Sequence, residues 1–281
     1  MEVKILIDSA SDINAEEANG FDVELVPIEV RFGEEQFLDG VTLLPEQFYD
    51  KLTESAELPK TSQINSFTFE ESFESLVGQG YEVVAIVLSS KLSGTYRSAV
   101  AAAKKFNDKV FVVDSLNASV GERLLCQHAL KLKEKGFSAK EIAQKLDEVK
   151  HKINFIALLD TLSYLKKGGR ISAITALAGQ MLSIKPVVGV INGEVKLIGK
   201  TVGSKKGNNL LNTLVNKKGI DFTMPYGTVY SGTDDSKLNQ YIRDSEEIWK
   251  GKTESVPVHT LGCTIGTHIG PGAIGVAFFE R

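Results

Sequence analysis

Apolar and polar positions follow two rhythms in the first half of the chain. Short unbroken runs rich in β-branched residues, Val3–Ile7, Val83–Leu88 and Val110–Val113, stand between longer stretches with helical spacing. Continuous runs of this kind predict strands buried on both faces, as in a parallel sheet covered by helices. The helical stretches are Thr95–Phe106, rich in alanine, and Ser119–Lys135. The latter keeps Leu124, Leu125, His128 and Leu132 on one face and stops before Gly136. Ser138-Ala139-Lys140-Glu141 has the form of a capping box and starts a further helix.

Between Phe21 and Leu58 the pattern changes. Val23–Phe32 reads as one long, partly alternating strand, with Gly33-Glu34-Glu35 turning it into Gln36–Leu38. Pro45 opens a short helix. Lys60-Thr61-Ser62-Gln63 reads as a loop, with Ser66 capping the helix that follows. The second half is mixed. Ile153–Leu159 is a strand, Thr161–Lys167 a helical stretch stopped by Gly168-Gly169, and Ser172–Leu182 an uncharged helix. Pro186–Ile191 and Val195–Ile198 flank Asn192-Gly193, which favours a tight type I′ hairpin turn. A lysine-containing helix, a strand at Gly227–Ser231 and a polar helix follow. Ser255–Phe279 has no Asp, Glu, Lys or Arg, but its prolines, glycines, His259 and His268 argue against a membrane helix and for strand, glycine-rich loop and strand. The expected organisation is two closely packed domains, 1–152 and 153–281.

Composition changes this picture little. The 281 residues are 42% hydrophobic and 24% charged, which suits a globular protein with a sizeable core. A net charge of −4 gives no support to a nucleic-acid partner. Two isolated cysteines, Cys126 and Cys263, suit a reducing compartment, and the N-terminus reads as a strand and not as a signal peptide, so a cytoplasmic location is expected. There is no phosphate-binding Gly-x-x-x-x-Gly-Lys-Ser/Thr loop, no Gly-x-Gly-x-x-Gly, no His-Glu-x-x-His and no Gly-x-Ser-x-Gly. Ser163-Tyr164-Leu165-Lys166 lacks its partner motifs, and no cluster has metal-ligand spacing.

Candidate chemistry lies where strands end. Asp8, Ser9, Ser89, Ser90, Asp114 and Ser115 follow the three buried strands and would share the carboxyl-end rim, where open α/β sheets bind ligands. Ser93, Gly94 and Thr95 would open a helix, where free N–H groups and the dipole favour an anion; an ordinary capped helix explains the same residues equally well. Arg170, after two glycines, can hold a carboxylate or phosphate in a bidentate contact, or be a solvated residue beyond a helix end. His268, among glycines, can donate to a ligand oxygen or be a satisfied core histidine. An enzyme acting on a small phosphorylated or carboxylated metabolite is one function compatible with this set.

Taken in order, Asp8-Ser9, Lys60–Gln63, Ser89–Thr95, Asp114-Ser115, Leu165–Ile171, Lys185-Pro186 and His268–Gly272 resemble the motifs of the DegV family of bacterial fatty-acid-binding proteins. The resemblance implies an α/β fold in which a parallel, Rossmann-like three-layer domain and a second mixed-sheet α/β domain hold one long-chain fatty acid between them. It implies a non-catalytic, acyl-carrying subunit of a fatty acid kinase, whose separate catalytic subunit converts the carboxylate to an acyl-phosphate for phospholipid synthesis. No cofactor or metal is implied. The carboxylate would lie at Thr61, Ser62, Ser93 and Gly94, supported by Arg170 and His268. The chain departs from many relatives at Ile64, where they have proline, and at Ala10, where they have threonine. Lys166, Lys167, Lys200, Lys205, Lys206, Lys217 and Lys218 make the second half locally basic, as solvated lysines or as a face for the kinase subunit or for transient contact with anionic lipid.

Overall fold

The computed structural model describes residues 2–171 and 184–281. The predicted helix Ser172–Leu182 lies outside the described residues. The first half runs β1 (Glu2–Asp8), α1 (Ala15–Gly20), β2 (Val23–Val26), β3 (Glu29–Phe32), β4 (Glu35–Leu38), α2 (Pro45–Glu54), β5 (Lys60–Ser62), α3 (Ser66–Gly78), β6 (Tyr81–Val87), α4 (Thr95–Ala103), β7 (Val110–Asp114), α5 (Val120–Glu134) and α6 (Ala139–Val149). The second continues with β8 (Ile153–Leu158), α7 (Ser163–Gly168), β9 (Ile184–Ile191), β10 (Glu194–Val202), α8 (Ser204–Lys218), β11 (Tyr226–Tyr230), α9 (Ser236–Asp244), α10 (Glu246–Trp249), β12 (Val258–Thr260), α11 (Cys263–Ile269) and β13 (Ile274–Phe279).

The unbroken apolar runs form three adjacent strands, β1, β6 and β7, of a parallel four-stranded sheet in the order β2-β1-β6-β7, with β1 and β6 inside it and β7 at its edge. Residues Val83 to Val87 are all fully buried, which requires cover on both faces. Two helix pairs, α3 with α4 and α5 with α6, supply it. A six-stranded mixed sheet follows in the order β10-β9-β8-β13-β11-β12. Helix α5 lies between the two sheets, touching β1 and β6 on one side and β8, β11 and β13 on the other. Every residue from Val120 to Cys126 is consequently buried.

Several local expectations are corrected. The long strand expected at 23–32 is two strands. Pro27 has no N–H for a ladder; before it β2 joins the parallel sheet, and after it β3 turns away to pair with β4 and β5 in a small antiparallel sheet. Lys60–Ser62, read as a loop, is the strand β5. The cap of α3 is Asn65, whose side chain accepts the N–H of Thr68, and not Ser66. The glycine-rich loop expected near the C-terminus is the helix α11; most of its residues are buried, and that burial outweighs the low helix propensity of Gly266. The Asn192-Gly193 hairpin forms as expected, with φ of 52° and 83° at the two turn residues.

Candidate functional site

The strand-end rim divides into two sets with different work. Asp8 accepts the N–H of Ala10 at 2.9 Å and that of Leu88 at 2.8 Å, tying β1 to the end of β6. Ser9 accepts the N–H of Ile28. The Ser89 hydroxyl donates to Gly193 O at 2.8 Å, Ser115 donates to Asn117 O, and the Ser90 N–H donates to Asp114. The rim is real, but apart from the Ser90 hydroxyl these six residues spend their polar side chains on the protein itself. They shape the turn that carries Ser93 and Gly94 and do not line the cleft beside it.

That cleft lies between the two sheets and holds about 1000 Å³ of empty space, open mouth included. One end is polar and gathers Thr61, Ser62, Ser93, Gly94, Arg170 and His268, all six residues singled out from the sequence. They come from four places: β5, the turn before α4, the loop after α7 and the end of α11. Gln63 and Thr264 are also polar, and the rest of the wall is apolar, with Leu92, Leu165, Ile269, Ala157, Val188 and Phe155 among its residues. An apolar slot with a few polar groups at one end is the general form of a small-molecule site.

Hydrogen bonds organise the polar end. Thr61 Oγ1 and His268 Nε2 are 3.1 Å apart. The Ser93 hydroxyl lies 2.9 Å from Thr95 Oγ1 and accepts the N–H of Thr95. The fully buried Thr95 hydroxyl in turn accepts the N–H of Ile64 at 3.3 Å, which links the β5 segment to the start of α4. The link needs the N–H of Ile64, which a proline at that position would lack. Arg170 donates from Nη1 to Gly168 O at 2.7 Å and stays exposed at the mouth. Among the described residues it has no carboxylate partner.

Burial, with the Arg170 charge as a smaller cause, pushes the His268 imidazole down to about 4. The ring is therefore neutral at pH 7, with one nitrogen a donor and the other an acceptor. Nε2 faces the Thr61 hydroxyl, and the buried Nδ1 has no partner among the described residues.

What aims His268 is the anchoring of α11. The carboxylate of Asp39 accepts the N–H groups of Cys263 and Thr264, both at 3.0 Å, and Asp12 accepts that of Gly262 at 2.8 Å. Two acids from the first half thus satisfy the free donors at the start of a helix in the second. Burial pushes the Asp12 carboxyl up to about 7 and raises that of Asp39. Cys263 is fully buried beside them and donates from Sγ to Leu43 O at 3.2 Å.

Three contributors stand outside the six residues assigned to the carboxylate from the sequence. Gln63 lies across Gly94: a β-carbon built on that glycine would sit 1.9 Å from Gln63 Oε1, so only glycine lets the amide fold over the turn. Gln63 stood in the quoted Lys60–Gln63 segment, which was the available signal. Thr95 was noticed as a helix-opening residue, but its link to Ile64 needed the fold. Asp39 had no sequence signal. Among the described residues, no group of three or more His, Cys, Asp or Glu is placed to hold a metal, and no helix is long and apolar enough to cross a membrane.

A parallel sheet and a mixed sheet enclosing one apolar cleft with a polar end define a recognisable class of α/β protein. The chain matches the family described as uncharacterised proteins of the DegV family over residues 2–281, and it belongs to that family. It is 32% identical to a DegV domain-containing protein of Caldanaerobacter subterraneus, covering 99% of each chain. Among solved structures it is similar to a fatty-acid-binding DegV family protein of Thermus thermophilus, with a TM-score of 0.89, 28% identity and full coverage of both chains. It is also similar to a stearic-acid-binding protein of Eubacterium ventriosum, with a TM-score of 0.86, 27% identity, and coverage of 100% of this chain and 98% of that one.

Proposed function

We propose that this protein binds a long-chain fatty acid in the cleft between its sheets and presents the carboxylate to a separate kinase subunit. The product would be an acyl-phosphate used in phospholipid synthesis. The observation that carries this reading is a cleft in which a largely apolar wall ends in a compact set of hydroxyl and N–H donors. In this reading the carboxylate is held by the hydroxyls of Thr61, Ser62 and Ser93 and by the N–H of Gly94, with Arg170 and His268 supporting it. The two ligand-holding domains are 1–152 and 153–281, and the protein works in the cytoplasm.

The magnitudes assign different work to the two ends. A hydrogen bond to a charged group contributes roughly 1.5–3 kcal/mol net. Burying an acyl chain contributes about 0.8 kcal/mol per methylene, so a long tail supplies on the order of 10 kcal/mol before ordering costs. The tail holds the ligand and the head fixes which end faces outward. The sequence carries no Gly-x-x-x-x-Gly-Lys-Ser/Thr loop, and in this reading the phosphoryl donor is brought by the kinase subunit. The exposed Arg170 at the mouth is suited to meet it, and the lysines of the second half offer that partner, or a membrane surface, a basic face.

Mass spectrometry of gently purified protein should find co-purified fatty acid. Thr61→Val, which keeps the shape but removes the hydroxyl, should weaken fatty acid binding about tenfold, the equivalent of one lost hydrogen bond. Its melting temperature without ligand should fall by a few degrees, because the partly buried His268 loses the partner of its Nε2. In an assay with the kinase subunit, Arg170→Ala should retain fatty acid and lose most phosphorylation. A protein that purifies empty and takes up no added fatty acid would overturn the proposal.

A further inference from the structure

The six-stranded sheet ends at β12, whose outer edge no strand covers among the described residues. β12 runs parallel to β11, with Thr228 opposite Val258 and Tyr230 opposite Thr260. In a parallel pair the hydrogen bonds of one residue go to the neighbours of its opposite number. Thr228 accordingly donates its N–H to Pro257 O, and the N–H of Leu261 donates to Tyr230 O, both at 2.8 Å. The N–H and C=O groups of Val258 and Thr260 therefore point outward, and among the described residues none of them has a hydrogen-bond partner. Open edge groups of this kind are a template for another strand.

This edge borders a second cleft, with about 1260 Å³ of empty space, mouth included. All three residues of β12 line it, although side chains alternate between the faces of a sheet, so the cleft meets the strand at its open edge. The rest of the lining comes largely from the first half of the chain, and no residue is shared with the cleft between the two sheets. Its charge is one-sided. Four carboxyls, those of Asp12, Glu17, Asp39 and Glu46, stand against one cation, Arg123, whose guanidinium is already paired with Glu17. Burial pushes the His259 imidazole down to about 4, so that ring adds no positive charge at pH 7. Glu46 is exposed. Leu44 and Val258, 45% and 42% exposed, add apolar surface to the same cleft.

We propose that this cleft docks an extended peptide segment of a partner protein, which adds to β12 as a further strand and brings a lysine or arginine to the acidic lining. The backbone of the segment pairs with the outward groups of Val258 and Thr260. In strand addition of this kind the main-chain bonds give affinity and the side chains give selectivity. Apolar side chains of the segment cover Leu44 and Val258, and its cation pairs with Glu46. β12 has three residues, so the segment it accepts is short.

The probe is a dye-labelled hexapeptide of alternating valine and lysine, with a valine–glutamate peptide as its counterpart, and binding is read by fluorescence anisotropy. The wild type should bind the lysine peptide roughly tenfold more tightly than the glutamate peptide. Val258→Pro removes one outward N–H, keeps every charge and is a change that an edge strand tolerates. It should weaken binding of the lysine peptide about tenfold. Glu46→Lys should weaken it by a similar factor and improve binding of the glutamate peptide. Hydrogen exchange reads the same contact without a variant and decides the matter should Val258→Pro fail to fold, which thermal melting reports. The amides of Val258 and Thr260 should exchange fast in the free protein and roughly tenfold more slowly with the lysine peptide bound. Unchanged exchange, or unchanged binding by folded Val258→Pro, overturns strand addition, since the peptide is then held by net charge alone. Unchanged binding by Glu46→Lys overturns the charge pairing. A wild type that binds neither peptide, or both alike, overturns the site.

Discussion

Glu122, in the first turn of α5, is fully buried, and neither carboxyl oxygen has a partner among the described residues. Burial first, then the nearby carboxyls of Asp8, Asp12 and Asp114, raise it well above its ordinary value of 4.5. The native protein therefore holds the acid form, whereas the unfolded chain ionises near 4.5. Above that pH the unfolded state binds fewer protons than the native one, so stability contributed by the neutral acid is lost as pH rises. Glu122→Gln keeps the shape and removes the titration. Its melting temperature relative to the wild type should increase steadily from pH 5 to pH 8; a difference independent of pH would refute the assignment. The same scale shows what the sequence carries. Ser93, Gly94, Arg170 and His268 are legible because each stands in a motif whose local geometry matters. Asp12 and Asp39 are not, because their partners lie more than 220 residues away along the chain and only the folded structure brings them together.

Among the elements, the β9–β10 hairpin does more than extend its sheet. Its tip reaches the parallel sheet, where Gly193 O accepts the Ser89 hydroxyl in a buried contact. The same hydroxyl accepts the N–H of Lys91, so one side chain joins the hairpin to the turn that leads into Ser93 and Gly94. Ser89→Ala leaves a buried carbonyl without its donor, at a cost of about 1–3 kcal/mol. Urea denaturation should show that loss as a lower midpoint with an unchanged slope, which separates lost stability from altered compactness. The hairpin itself was legible, because Asn-Gly between two apolar runs fixes the turn type. Its docking was not, because nothing in Ser89 alone says whether its hydroxyl serves a ligand or a distant carbonyl. The split of the 23–32 strand was missed for a related reason. Apolar alternation continues straight through Pro27, and only pairing with two different sheets breaks it.

At the scale of the whole molecule, the cleft exists because residues from both ends of the chain meet. The alternation of strands and helices made the parallel sheet legible, and the ordered motifs identified the family. The return of α11 to the first half was hidden by its glycines, which read as loop until its buried surroundings are known. This return has a use in the laboratory. Burial, and then the nearby Asp39, raise the Cys263 thiol, and burial pushes that of Cys126 up to about 12. At neutral pH neither offers a thiolate, the form that reacts. The two thiols are therefore silent in the closed protein and sit on different helices, Cys263 at the start of α11 and Cys126 within α5. A thiol reagent then acts as a stopwatch for each helix without any engineered label. Labelling of Cys263 should outpace that of Cys126 in the empty protein, and fatty acid should slow it by holding α11 down through His268. Equal rates that ignore the ligand would mean that the two helices come free together, in global unfolding. The buried cysteine beside Asp39 is thus a built-in reporter of when α11 lifts away from the first half of the chain.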